Sequence, residues 1–230
     1  MKNNLVTCFL PCRKGSKRIQ NKNIKSFANY DNGLIQIKLN QLINSKKIDK
    51  IVLSTNDKFI LSYAEKINSK KIKIIRRSDD LCTDQTSTDE LIDYAFNLIG
   101  EGHIIWTHVT SPFINSSYYD KIIDTYFENL DNGFDSLMTA NSIKSFLWKK
   151  SPLNYDRNKE KWPRTQTLEP VYEINSAAFM VSYEIFKKFN DRIGNNPYIF
   201  EINKLIGHDI DWPEDFIIAE ELLKRKIVHI

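Results

Sequence analysis

The chain has 230 residues, 41% of them hydrophobic and 27% charged, with a formal net charge of +4. That apolar content supports one sizeable core, so a single unit over 1–230 is expected, and the charge content excludes a disordered chain. The basic excess is too mild and too dispersed to point to nucleic acid.

Apolar runs and helical patterns then alternate along the chain. Residues 5–10 predict a buried strand that empties into a basic loop. After the turn Asp31-Asn32-Gly33, Leu34, Ile35, Leu39, Leu42 and Ile43 recur at helical spacing. Residues 51–55 predict a strand, about 57–67 a helix with Ile60, Leu61 and Ala64 inward, and 72–75 a third strand. A helix over 88–98 follows, capped by Thr88 or Ser87. Residues 103–108 predict a fourth strand, 116–130 a helix and 134–140 a fifth strand. The order breaks at about 142–172, where Phe146, Trp148, Tyr155 and Trp162 stand among polar residues. This excursion reads as a lid or as an arm that packs on another subunit. The pattern returns with 171–181, a helix over 183–189, a turn at Gly194-Asn195-Asn196-Pro197, a short strand at 209–211 and a helix from Pro213 to about Arg225. The alternation predicts an α/β fold, a mostly parallel twisted sheet with helices on both faces.

No run approaches a membrane span, and the first apolar stretch is too short for a signal peptide. Cys8, Cys12 and Cys82 are an odd number at no metal-binding spacing, which fits a reducing cytoplasm.

The first loop gathers Arg13, Lys14, Lys17, Arg18 and Lys22 around Gly15 and Ser16. A lysine-rich loop alone is ordinary solvated surface. Its place at a strand's C-terminal end, with Gly15 allowing close backbone approach, points to a polyphosphate. It is neither a Walker A motif nor a Rossmann fingerprint. Asp209 and Asp211, two apart on an extended segment, would face the same way and repel unless a cation such as Mg²⁺ lay between them; the alternative is a pair of surface or capping acids before Pro213. Arg77 leaves the third strand and reads as a base or phosphate contact, or as part of a solvated loop. His108 ends the fourth strand, as a ligand contact or a satisfied polar residue. HExxH, CxxC and GxSxG are absent, and the four histidines form no recognisable metal set.

Taken together, these stations resemble the acylneuraminate cytidylyltransferase (CMP-sialic acid synthetase) family. The resemblance is carried by Pro11-Cys12-Arg13-Lys14-Gly15-Ser16-Lys17 with Lys22-Asn23, by Ser54-Thr55-Asn56-Asp57, by Arg77 to Asp84, by His108-Val109-Thr110-Ser111-Pro112-Phe113, and by Asp209-Ile210-Asp211 with Asp215. It departs where His108 stands for Gln, Ser176 for Gly and Ser78 for Pro.

The resemblance implies a nucleotide-diphospho-sugar-transferase-like, Rossmann-like fold. It implies CTP and an acidic nonulosonic sugar as substrates, with CMP-sugar and pyrophosphate as products. Arg13, Gly15, Ser16, Lys17, Lys22, Asn23 and Arg77 would hold the nucleotide, with Arg13, Lys17, Lys22 and Asp211 carrying the chemistry. Asp209 and Asp211 would hold Mg²⁺. His108, Lys144, Arg164, Gln166 and Asn175 would meet the sugar, Lys144 and the Arg164 segment from an arm reaching a second copy in a homodimer. No nucleic acid or membrane is expected as partner. The same chemistry on the eight-carbon acid Kdo, or on pseudaminic or legionaminic acid, is the near alternative. More distant are a nucleotide-binding protein without turnover and a DxD glycosyltransferase.

Overall fold

The computed structural model describes residues 4–230. Seven strands form one sheet: β1 (Val6–Pro11), β2 (Lys50–Thr55), β3 (Ile72–Arg76), β4 (His103–Trp106), β5 (Ser136–Ile143), β6 (Val171–Ser182) and β7 (Pro197–Glu201). Their order is β3-β2-β1-β4-β6-β5-β7. The β1–β2, β2–β3, β1–β4 and β5–β7 pairs are parallel, whereas β6 runs antiparallel to both of its neighbours. The sheet is therefore mostly parallel, with β6 as the one reversed strand.

Both faces are covered, which is why the central strands read as unbroken apolar runs. Cys8, Leu10, Ile51, Leu53 and Ile105 face one cluster, packed by α1 (Gly33–Asn44), α2 (Lys58–Ile67), α4 (Ser116–Leu130) and α6 (Pro213–Lys224). Phe9, Val52, Ile104, Trp106 and Phe179 face the other, packed by α3 (Thr88–Leu98) and α5 (Tyr183–Phe189). Among the described residues, no helix is long and apolar enough to cross a membrane.

Local chemistry sets the helix starts. The Asp57 side chain accepts from Phe59 N at α2. Ser87 and Glu90 close a reciprocal capping box at α3, which assigns the cap to Ser87 rather than Thr88. Asp215, in the first turn of α6, accepts from the amides of Asp211 and Trp212.

Three expectations differ. Residues 197–201 form β7, beginning on a proline, where only a turn is legible locally. β4 stops at Trp106, two residues short of His108. Residues 209–211 are not a strand: Ile210 is fully buried, but its amide donates to Thr110 O at 2.9 Å without any ladder around it.

The excursion is the closing loop of a long hairpin. Ile143 lies opposite Val171, so residues 144–170 connect β5 to β6. Phe146 sits edge-on to Tyr155 and Trp162, each at 5.3 Å. Arg157 lies over the Trp148 and Trp162 rings. Trp148 and Trp162 remain 56% and 63% exposed. Because Phe179 of β6 pairs with Trp106, the last residue of β4, residues 171–175 overhang the sheet's C-terminal edge.

Candidate active site

A cleft of about 530 Å³ opens at the C-terminal ends of β1 and β4. Arg13, Ser16, Lys17, Arg18, Lys22 and Asn23 line it, together with Asp84, His108 and Asp211. This is where an open α/β sheet holds ligands.

The basic loop is shaped by its own backbone. Gly15 has φ +85° and open space where a Cβ would stand, which shapes the turn, but it does not itself line the cleft. Asn23 Nδ2 donates to Arg13 O at 3.0 Å and closes the loop across its base. Asn23 O accepts in turn from Ile35 N in the first turn of α1. Asn56 ties three loops together, accepting from Lys14 N and donating to Asp79.

Two carboxylates gather the cations. Asp84 pairs with Lys17 at 2.6 Å and Arg13 at 2.7 Å, and these two hold its carboxyl below the usual range. Asp211 pairs with Arg18 at 3.0 Å and with Lys22 at 3.2 Å. The Lys22 ammonium also donates to Ile210 O at 2.6 Å, and its side chain is only 11% exposed. Lys22 is thus a nearly buried charge anchored to the segment before α6.

His108 faces this wall as a neutral ring. Trp106 Nε1 donates to His108 Nε2 at 3.0 Å, which leaves the proton on Nδ1. Burial, and then the Arg192 guanidinium, push its pKa down to about 3.

Other expected site residues stand elsewhere. Arg77 is buried and does not line the cleft: its Nε donates to Cys82 Sγ at 3.0 Å, and its Nη1 has no partner among the described residues. Asn175 is buried in the β5–β6 pairing, accepting from Thr139 Oγ1 and donating to Asn141 Oδ1. Lys144, Arg164 and Gln166 are exposed on the 144–170 loop and line no part of the cleft.

Asp209 and Asp211 do not share a strand face. Asp211 lines the cleft, while Asp209 Oδ1 is buried with no partner among the described residues. Those residues contain no group of three or more His, Cys, Asp or Glu placed to hold a metal ion. Asp209 Oδ1, a carboxylate oxygen without a partner among those residues, suits a hard cation, and Asp211 follows two residues later on the cleft wall.

The sequence reading left Lys38 aside. It is fully buried and donates to Ser111 O and to Tyr119 OH, both at 2.8 Å. Tyr119 OH meets Thr107 Oγ1, which donates to Ala177 O. This network braces the 107–111 loop from below, and burial pushes the Lys38 pKa down to about 7. Its signal was available: Lys38 sits four residues from both Leu34 and Leu42 on the apolar face of α1.

A family model described as cytidylyltransferase matches residues 7–228. N-acylneuraminate cytidylyltransferase of Streptococcus agalactiae serotype III is 27% identical over 216 residues, 91% of this chain and 51% of that protein. The chain thus spans about half the length of that relative. Pseudaminic acid cytidylyltransferase of Campylobacter jejuni serotype O:2 is 26% identical over 228 residues, 94% of this chain and 95% of that one. Among solved structures, a CMP:2-keto-3-deoxy-manno-octonic acid synthetase complexed with CTP aligns with TM-score 0.66 at 12% identity, covering 96% of this chain and 99% of that one. The 4-diphosphocytidyl-2C-methyl-D-erythritol synthase of Anaerococcus prevotii also aligns at 0.66, with 16% identity and 97% coverage of each chain. At those identities the likeness is one of fold.

Proposed function

Because the chain belongs to the cytidylyltransferase family, we propose that it transfers a cytidylyl group from CTP to the anomeric hydroxyl of an acidic nonulosonic sugar, releasing pyrophosphate. The observation that carries this reading is the wall formed by Arg13, Lys17, Arg18 and Lys22 in a cleft at the sheet's ligand-binding edge. Four cations outnumber the two carboxylates that hold them, Asp84 and Asp211, and give the wall the excess positive charge that a triphosphate needs. Arg13 and Arg18 hold phosphate oxygens by planar forks, Lys17 and Lys22 as point charges.

The sugar oxygen attacks the α-phosphorus as the bond to pyrophosphate breaks in line. Such a step needs positioning and charge neutralisation rather than a covalent intermediate. Lys22, held by Ile210 O, supplies a cation whose place does not depend on solvent. Neutral His108 contributes a ring N–H without adding charge. Asp209 and Asp211 would hold Mg²⁺, which when bound would neutralise phosphate oxygens and lower the pKa of the attacking hydroxyl. The sialic- and pseudaminic-type relatives favour a nine-carbon acid over the eight-carbon one.

Pyrophosphate release tests the reading. CTP is expected to outperform ATP, GTP and UTP by at least about a hundredfold in kcat/KM with one member of a panel of N-acetylneuraminic acid, pseudaminic acid and Kdo. Equal turnover with ATP would remove the assignment.

The proposed partner is a second copy of the chain in the cytoplasm, joined through the 144–170 loop. Phe146, Trp148 and Trp162 form an exposed aromatic cluster there, the composition of an interface core. Lys144, Arg164 and Gln166 would then serve the neighbouring cleft. Sedimentation should give a dimer at micromolar concentration, and Trp148→Asp with Trp162→Asp should weaken it by about a hundredfold. A dimer indifferent to both changes would place the contact elsewhere.

A further inference from the structure

Arg192 lies in the connection between α5 and β7. Its guanidinium sits 4.1 Å from the ring centre of Phe179 and 5.4 Å from that of Trp106. Those two aromatics are register partners on β6 and β4, and Trp106 is the residue at which β4 ends. The cation therefore rests on a two-ring platform beside the cleft, whose lining includes His108 but not Arg192 itself. The basic loop leaves β1, and Asp84, which grips it, follows β3. Arg192 is thus on the β4–β6 half, away from the proposed triphosphate wall.

Among the described residues, none forms an ion pair with the Arg192 side chain. Its Nε is buried without a hydrogen-bond partner among them. Burial outweighs the charges of Asp191 and Asp89 and leaves its pKa below the ordinary arginine value. A half-buried cation with an unused donor is costly unless something pairs with it. The connection to the cleft runs through Trp106, whose indole N–H holds His108. Arg192 is also the strongest single charge acting on the His108 ring.

Stacking on two rings leaves the guanidinium only its in-plane N–H edge. That edge matches a planar carboxylate better than a tetrahedral phosphate already served by four other cations. We propose that Arg192 is the specificity-determining contact for the carboxylate of the acid sugar, on the β4–β6 side of the site, beyond His108. The assignment rests on the cytidylyl transfer proposed above.

The test uses the full chain with CTP and N-acetylneuraminic acid, pseudaminic acid or Kdo, each beside its C1 methyl ester. Wild type should prefer the acid, and Arg192→Met should cut the acid-to-ester ratio of kcat/KM by about tenfold or more. KM for the acid should rise while KM for CTP stays, and Arg192→Lys should keep part of the preference. A stacked arginine that only caps the apolar cluster predicts an unchanged ratio, whatever happens to the melting temperature, and that result would overturn the proposal while leaving the transfer reaction standing. Should Arg192→Met not fold, Arg192→Gln, which keeps a planar stacking group, carries the same comparison. Turnover of none of the three acids by wild type would overturn both readings.

Discussion

Asp211→Ala is expected to lower turnover by about a hundredfold or more while the chain stays folded. Asp211 is the carboxylate of the cleft that fixes two of its four cations, Arg18 and Lys22, and it is a proposed Mg²⁺ ligand. Its loss removes a negative charge where metal and phosphate would meet and frees Arg18 to move. Relief of repulsion between Asp209 and Asp211, which their spacing alone would suggest, is offset by the loss of these two cationic partners. Asp211 is 47% exposed, so screening limits the stability loss to about 1 kcal/mol. Melting temperature and pyrophosphate release, measured on the same variant, decide the matter. A variant that melts early yet turns over normally would make Asp211 a purely structural partner of Lys22.

Gly33→Ala should cost about 3 kcal/mol or more and weaken CTP binding with it. Gly33 has φ +65°, and a Cβ there would lie 2.1 Å from Lys25 O. The contact is with backbone, which a rotamer change cannot relieve. The same turn of α1 sends Ile35 N to Asn23 O, so the displaced helix end pulls on the base of the basic loop. Urea denaturation should show a lower midpoint with an unchanged slope, and KM for CTP should rise. An unchanged midpoint would mean that the loop before Gly33 yields freely.

The parts of the fold legible in the sequence are those decided locally. Ser87 and Glu90, three apart before an apolar pattern, announce α3 because the capping box needs nothing beyond its own turn. The unbroken run of β1 announces a strand covered on both faces. Of the candidate site, the loop was legible, because a basic run at a strand's end follows from loop chemistry alone, and Arg13, Ser16, Lys17, Arg18, Lys22 and Asn23 do line one cleft. What stayed hidden depends on distant partners. β7 exists because β5 offers it a ladder from Ser136↔Pro197 to Ala140↔Glu201, while its own first residues look like a turn. The reversal of β6 leaves no local trace. Residues 209–211 resemble a strand by alternation but have no neighbouring strand to pair with. Arg77 reads as a cleft residue until Cys82 is seen to hold it inside. Arg192 carries no sequence signal, since its platform comes from two strands far apart in the chain.

The bond from Lys22 to Ile210 O joins groups separated by 188 positions. During synthesis at roughly 5–20 residues per second, about 10–40 s pass between the appearance of the lysine and that of its acceptor. Over that interval the basic loop lacks the anchor that fixes its most enclosed cation, even if β1, β2 and β3 have already paired. The cleft closes as a late, long-range event, when the segment before α6 reaches Thr110 and Lys22 together.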